Sequence, residues 1–539
     1  MATRDISRTG FSRAKAYTDL HAQQGRIFTD ADQVEQAEIR AEAARAAATQ
    51  TIGPFGSADQ GFSISQPQVA GGRVDFRINA GTLWLGGQLL TRPVAERFAA
   101  QSDWLNNPGA SAPLDGGARV DLAVLEGWQQ PVASVEDAET FEPGLGGPDT
   151  SVRLRQMTRV RLIEGVAGAT CEEAWAEARE RLTGLGQGVL DAGHELVPDT
   201  RFTLAPINGP GGDDLCSPGT GAGYLDAENQ AIRIMITGPG SFIWGFDNAA
   251  PLYRAVLEDG GATLRFLTEP KDLLAWPAQG MTVEVLPWGA VLENGEKTAE
   301  EIAPGHFATV EAGYDPDTRR VRLTPATAVP GGFGTQWQSR PDADALRHSR
   351  YGLSEVGAYV FVRVWNRGTD TTPGPTLPLP AGPVPLGDTG LQLTVSGADR
   401  RPGDYVIAAA RPATPDLVLP WQLLVGAPPM GWRRFVAPLG LIRWQGGAGE
   451  VLSDCRRRFR PLTRLGGCCT YTVGDDNISF GDFTSIEAAV NALPPGGGQV
   501  CVLPGNYTEN VFLDRAENIR ITGCGARTRI APRDPDVPV

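Results

Sequence analysis

Glycine and proline punctuate this chain so closely that few stretches could hold a helix of more than a few turns. They number 67 and 42 among 539 residues, about one residue in five, and they favour short strands joined by turns. The fold class that follows is mainly β. A chain of this length also exceeds what one hydrophobic core organises, so several domains are expected. Composition shifts place them at 1–55, 56–265, 266–455 and 456–539.

The exception to the punctuation lies near the start. Thr29 or Asp30 can cap a run to Ala48 that is rich in Ala and Glu, and Gly53 and Pro54 end it. Its large apolar residues are essentially Val34 and Ile39, so it can bury little of itself and reads as a docking element. Short alternating runs then begin at Phe62, Arg73 and Thr82, with glycine pairs at 71–72 and 86–87 marking hairpin turns. A second helix is predicted over Glu172 to Leu182 behind Thr170 as its cap, amphipathic through Ala174, Trp175, Ala178 and Leu182. Strand runs resume at Ala231, Ser241 and Thr282, and Asp315 to Thr318 carries the turn chemistry of a hairpin. Six prolines between Pro373 and Pro385 cannot sit in a sheet centre and should run extended along a surface or an edge. Strand character returns at Leu391 and Asp404.

The last stretch has its own grammar. A short amphipathic helix, FTSIEAAVNAL from Phe483 to Leu493, precedes strand runs at Gln499 to Leu503, Asn510 to Leu513, Asn518 to Thr522 and Thr528 to Ile530. From Gly481 to Gly525, with GGGQVCVLPGNYTENVFL and NIRITGCG as successive faces, the sequence resembles the start of a right-handed, pectin-lyase-like parallel β-helix. Cys501 and Cys524 lie 23 residues apart, about one coil, and are expected as stacked interior thiols. Such a coil buries its open face only against another coil. Either further polypeptide or a partner subunit is expected to cover it.

A formal net charge of −15 and a pI near 4.9 argue against nucleic acid, which selects clustered Lys and Arg. Arg4, Arg8, Arg13 and Lys15 at the start flank no apolar core of a secretory signal. The apolar stretch from Leu417 to Val425 is short and broken by Pro420, so no spanning helix is expected. Seven cysteines at irregular spacing suggest free thiols in a reducing compartment and a chain made in the cytoplasm.

Residues 4–36, RDISRTGFSRAKAYTDLHAQQGRIFTDADQVEQ, carry a QGR…DAD…EQ motif that resembles an uncharacterised phage-tail-like family from contractile injection system gene clusters. Further likenesses are GYLDAENQAIRIMI at 223–236, FIWGFDNA at 242–249, RPGDYVIAAAR at 401–411, FVAPLGLI at 435–442 and CCTYTVGDD at 468–476. The resemblance implies an accessory baseplate or fibre component assembled into a tail-like particle. Gln33 and Gly245 depart from the family pattern, which has Trp after DAD and a charged or Ser-like residue after FIW.

Candidate sites are few. Asp30, Asp32 and Glu35 crowd a helix start, where capping and the helix dipole account for them; docking on a neighbour's basic groove, with Gln24, Gly25 and Arg26 shaping the turn before it, is the second reading. Cys455, Cys468 and Cys469 show no CxxC pair, and His21, His194, His306 and His348 lie far off in sequence, so no metal is expected. Arg456, Arg457, Arg458, Arg460 and Arg464, with Arg433 and Arg434 upstream, form either an ion-pair belt or a patch for an acidic partner. Asp475, Asp476, Glu509 and Asp514 invite comparison with the paired acids of polysaccharide-cleaving β-helices, but fold alone does not license that function.

The expected protein is a non-enzymatic, cofactor-free structural subunit, a homotrimer because three chains around an axis can shield bare edges. The competing expectations are a tailspike-like polysaccharide depolymerase and a binder of cell-surface glycan through exposed Trp residues such as Trp244 or Trp421.

Overall fold

The computed structural model describes residues 11–106, 114, 117–145, 150–207, 230–271, 273–340, 342–348, 358–368, 370–387, 389–410, 419–461, 469–513 and 517–536. The chain forms two compact units, Met1–Arg458 and Phe459–Val539. The fold is mainly β, and the expected boundaries at 55/56 and 265/266 both fall inside the first unit.

Helix α1 spans Asp30–Ile52, four residues longer than the sequence reading. Thr29 caps it in a reciprocal capping box: its hydroxyl accepts from the Asp32 N–H while the Asp32 carboxylate accepts from the Thr29 N–H. Gly53 ends it at φ 104, a conformation that suits a residue without Cβ. The second helix, α2, spans Cys171–Gly184 with a capping box between Thr170 and Glu173, and it buries Ala174 and Ala178 as expected.

The main sheet of the first unit has seven antiparallel strands in the order Glu96–Arg97, Arg73–Ile78, Ile64–Ala70, Ala448–Asp454, Phe435–Gln445, Arg119–Val132 and Arg153–Ile163. Segments nearly 400 residues apart in sequence thus share one ladder, with Val69 against Val74 and Phe435 against Gly127. One face closes over Phe76, Leu83, Leu125, Phe435 and Trp444; α2 packs on the other, over Leu122, Val124 and Leu441. Between these segments the chain builds a closed six-stranded barrel from Leu252–Glu258, Thr263–Phe266, Arg320–Leu323, His306–Asp315, Thr282–Leu286 and Val360–Trp365. Its interior is filled by Tyr253, Phe266, Val283, Val310 and Val362. The proline-rich segment supplies two edge strands, Leu377–Pro378 and Val384–Pro385, as a missing backbone N–H requires.

Sheet and barrel meet through polar contacts. Gln130 donates to the Ala299 carbonyl at 2.8 Å, Ala299 donates to Glu136 at 2.8 Å, and Arg159 pairs with Glu300 at 2.8 Å. From the barrel, Arg254 donates to the Val135 carbonyl at 2.7 Å and pairs with fully buried Glu296 at 2.6 Å. Such pairs specify an arrangement more than they stabilise it.

In the second unit, Tyr471–Val473, Gly498–Val502 and Ile519–Gly523 pair in parallel, and Gly505–Thr508 pairs in parallel with Thr528–Ala531. The short helix is Ile486–Asn491, capped by Ser485. The second face of the first coil is Gly505–Thr508 and not Asn510–Leu513, because Tyr507 is the residue that turns inward, 4% exposed, while Phe512 and Leu513 stand in solvent.

The expectation of free thiols is overturned by two disulfides, Cys171–Cys455 and Cys469–Cys501. Their partners are 284 and 32 residues apart in sequence. The first forms because α2 packs on the sheet that contains the strand ending at Asp454, a neighbourhood invisible to local spacing. Cys501 does not stack on Cys524: it lies opposite Thr522, and Cys524 is exposed past the end of its strand. Disulfides of this kind persist in oxidising surroundings, which a reducing cytoplasm does not supply. Among the described residues, no helix is long and apolar enough to cross a membrane.

Candidate functional site

The residues singled out at the N-terminus lie on one structural feature. An arm from Phe11 to Phe28 folds back along α1: Arg13 pairs with Glu42, Gln36 donates to the Leu20 carbonyl at 3.3 Å, and Arg40 approaches Asp19 at 3.9 Å. The chain reverses through Gln24 and Gly25, with the Arg26 N–H donating to Gln23, and all three residues are exposed. Ile27 and Phe28 follow, 90% and 37% exposed, immediately before the cap. Asp30 is exposed, Asp32 is consumed in the capping box and Glu35 is half-buried.

The arm and helix are latched to the body at Glu42. Its carboxylate pairs with Arg13, with Arg45 at 2.6 Å and with Arg433 at 3.1 Å, and Arg433 also holds Glu195 at 2.5 Å. Partial burial pushes the Glu42 carboxyl upward, but the hydrogen bonds from Arg45 and Arg13 outweigh it and hold the group at about 2. Beyond the latch the inner face of α1, through Val34, Ala37 and Ala41, roofs a cleft of about 1300 Å³ whose opposite wall includes Leu154, Trp421 and Pro428. Asp247 also lines it, from a turn in which Asp247, Asn248 and Ala249 all take positive φ, 52, 57 and 45. Three successive left-handed non-glycine residues are costly; buried Asn248 accepts from the buried Arg233 guanidinium at 3.4 Å and fixes them.

Trp421 is 43% exposed on a short helix, Trp421–Val425, anchored by fully buried Leu423. Trp244 is fully buried in the core and cannot serve as a ligand platform.

The arginine run is dispersed. Arg456 is buried, pairing with Asp454 at 2.7 Å and donating to the Gly61 carbonyl at 2.6 Å, so it is no part of an exposed patch. Arg457 lies over the Phe55 ring, Arg458 is exposed, and buried Arg434 donates to the Ile302 carbonyl at 2.7 Å. Arg460 is exposed in the second unit, and Arg464 lies outside the described residues.

The candidate acids of the coil are spent on backbone. Asp475 accepts from the N–H groups of Ile478, Ser479, Asn477 and Asn506, which hold it at about 2. Glu509 accepts from Ser485, Ile486 and Glu487 at the start of the short helix. Asp476 is exposed in a left-handed turn, and Asp514 and Cys468 lie outside the described residues. Cys455 and Cys469 are committed to disulfides. Of the histidines, His194 is buried between the Phe55 and Trp175 rings with Nδ1 2.8 Å from the Val436 carbonyl. His306 bonds the Thr327 carbonyl, and His21 is exposed beside Asp19.

Sequence reading missed the buried charges. Arg363 pairs with Glu284 at 3.0 Å and Glu301 at 2.6 Å, all three nearly inaccessible. Glu136 is pushed up to about 8, chiefly by burial and then by the Glu301 charge. The signal was present: a single charge inside an apolar β-branched run, as in VFVRVW from Val360 and TVEVL from Thr282.

The geometry defines a mainly antiparallel β protein with a latched N-terminal arm and a C-terminal parallel coil. Residues 2–237, less than half of the chain, match a family of unknown function, DUF6519. No curated protein and no solved structure matches the chain.

Proposed function

We propose that this chain is a structural subunit of a phage-tail-like contractile injection particle, a baseplate or fibre component that docks through its N-terminal arm and works as a homotrimer. The observation that carries this reading is the pair Ile27 and Phe28, exposed side by side between the QGR turn and a firmly capped helix. An apolar pair held out by latched structure is suited to burial in a neighbour. The two disulfides fit a particle that acts outside the cell.

The test is a double substitution, Ile27→Asp with Phe28→Asp, in the full chain expressed with its particle. Both positions are exposed, so the melting temperature is expected to stay within a degree or two of the parent. The parent should sediment with assembled particles and the variant should stay in the supernatant. Equal sedimentation of both, or of neither, sinks the docking claim.

A further inference from the structure

The parallel coil of the second unit is closed at one end and open at the other. At the first strand, Tyr471–Val473, the outer edge is already paired: Phe483 donates to the Thr472 carbonyl and Gly474 donates to the Phe483 carbonyl. The short helix Ile486–Asn491 packs Ile486, Ala489 and Val490 onto the same core. At the last coil, Ile519–Gly523 and Thr528–Ala531 have a strand on one side only among the described residues.

The side-chain rows tell the same story with numbers. Val500 lies opposite Ile521, and Tyr507 opposite Ile530. Along these inward rows exposure rises from 0% at Val500 to 38% at Ile521, and from 4% at Tyr507 to 39% at Ile530. The outward rows end in arginine: Arg520 follows Gln499 and Arg529 follows Asn506, both exposed.

We infer that this last coil is a binding surface for a β-coil of a different polypeptide, laid in parallel register, with apolar residues over Ile521 and Ile530 and acidic residues over Arg520 and Arg529. Unpaired strand edges capture strands, and the period of two sets which residues meet. A second copy of this chain fits worse. Its other end is closed, so two copies could meet only open end to open end. That arrangement would bring two arginine-bearing rims together and run the strands antiparallel. The inference stands apart from the docking arm, which lies in the other unit.

The probe is a synthetic peptide one coil long, 21 to 23 residues by the offsets from Gly498 to Ile519 and from Gly505 to Thr528. It carries Ile at the inward positions and Glu at the outward ones; a control exchanges the two. Titrated into the full chain and followed by fluorescence anisotropy, the first peptide should bind saturably and slow amide exchange across 519–523 and 528–531. Arg520→Glu with Arg529→Glu, both exposed, should weaken it at least tenfold. Equal binding of the two peptides, no binding, or indifference to charge reversal overturns the inference. So does a concentration-dependent dimer of the chain that Ile521→Lys abolishes, since a second copy would then be the occupant.

Discussion

Glu136 is where a single side chain governs a measurable property of the whole first unit. Both its carboxyl oxygens accept backbone N–H groups, from Ala133 at 2.9 Å and from Ala299 at 2.8 Å, so it ties the loop after one strand of the main sheet to the hairpin beside the barrel. Burial, then the Glu301 charge, raise it from 4.5 to about 8, and Arg363 opposes this only in part. A carboxyl raised in the folded state contributes stability that is complete below its unfolded value and is lost as pH climbs through the folded one. The chain should therefore melt progressively lower between about pH 5 and pH 8 through this group. Glu136→Gln cannot accept both N–H groups, and it should cost about 1 to 3 kcal/mol at the acidic end. It should also flatten the slope, because no proton remains to be lost. Thermal melts of both chains across that range decide it; parallel slopes would remove Glu136 from the account.

Helix α1 illustrates what an element owes to local sequence and what it owes to distant partners. Its start was legible, since Thr29 and Asp32 stand three apart and need nothing else to build the cap. Its low burial was legible from Val34 and Ile39, of which Ile39 is buried and Val34 half-buried. The latch was not, because Glu42 meets Arg433, 391 residues away, only after the sheets have formed. The same holds for Cys171 and Cys455, and for the strands at 64–78 and 435–454 that share a ladder. Arg233 and Arg363 defeated the alternation rule in another way: packed layers cover both faces of their strands, so neither face is solvent. The latch has its own test. Glu42 is held near 2, below its ordinary 4.5, so its contribution is present above the unfolded value and fades as pH falls towards 2. Glu42→Gln should weaken the first unit by about 1 to 2 kcal/mol. It should also speed amide exchange along 30–52 at neutral pH while leaving the main sheet slow. Uniform acceleration would mean that Glu42 supports the body as a whole and not α1 in particular.

At the scale of the molecule, the exposed features separate by what could cover each. The arm offers a short apolar pair, suited to a neighbour's pocket; the last coil offers a row and an edge, suited only to another strand. A three-fold arrangement about an axis along the coils would leave every last coil pointing the same way and uncovered, whereas a two-fold arrangement could bury two of them together. Molar mass therefore bears on both proposals at once. Light scattering of the purified chain near neutral pH, at low and high salt, is expected to give three times 57.3 kDa. The value should hold across protein concentration if the subunits associate through apolar contacts, which salt does not screen as it does exposed charge pairs. The Ile27→Asp, Phe28→Asp variant is expected to keep that mass, because the arm is assigned to the particle and not to sister chains. A mass of one chain at all concentrations would reject the trimer and leave an adaptor recruited singly. A mass of two chains would point to the open coil instead, and would reject the trimer and the different-chain partner together if Ile521→Lys returned it to one.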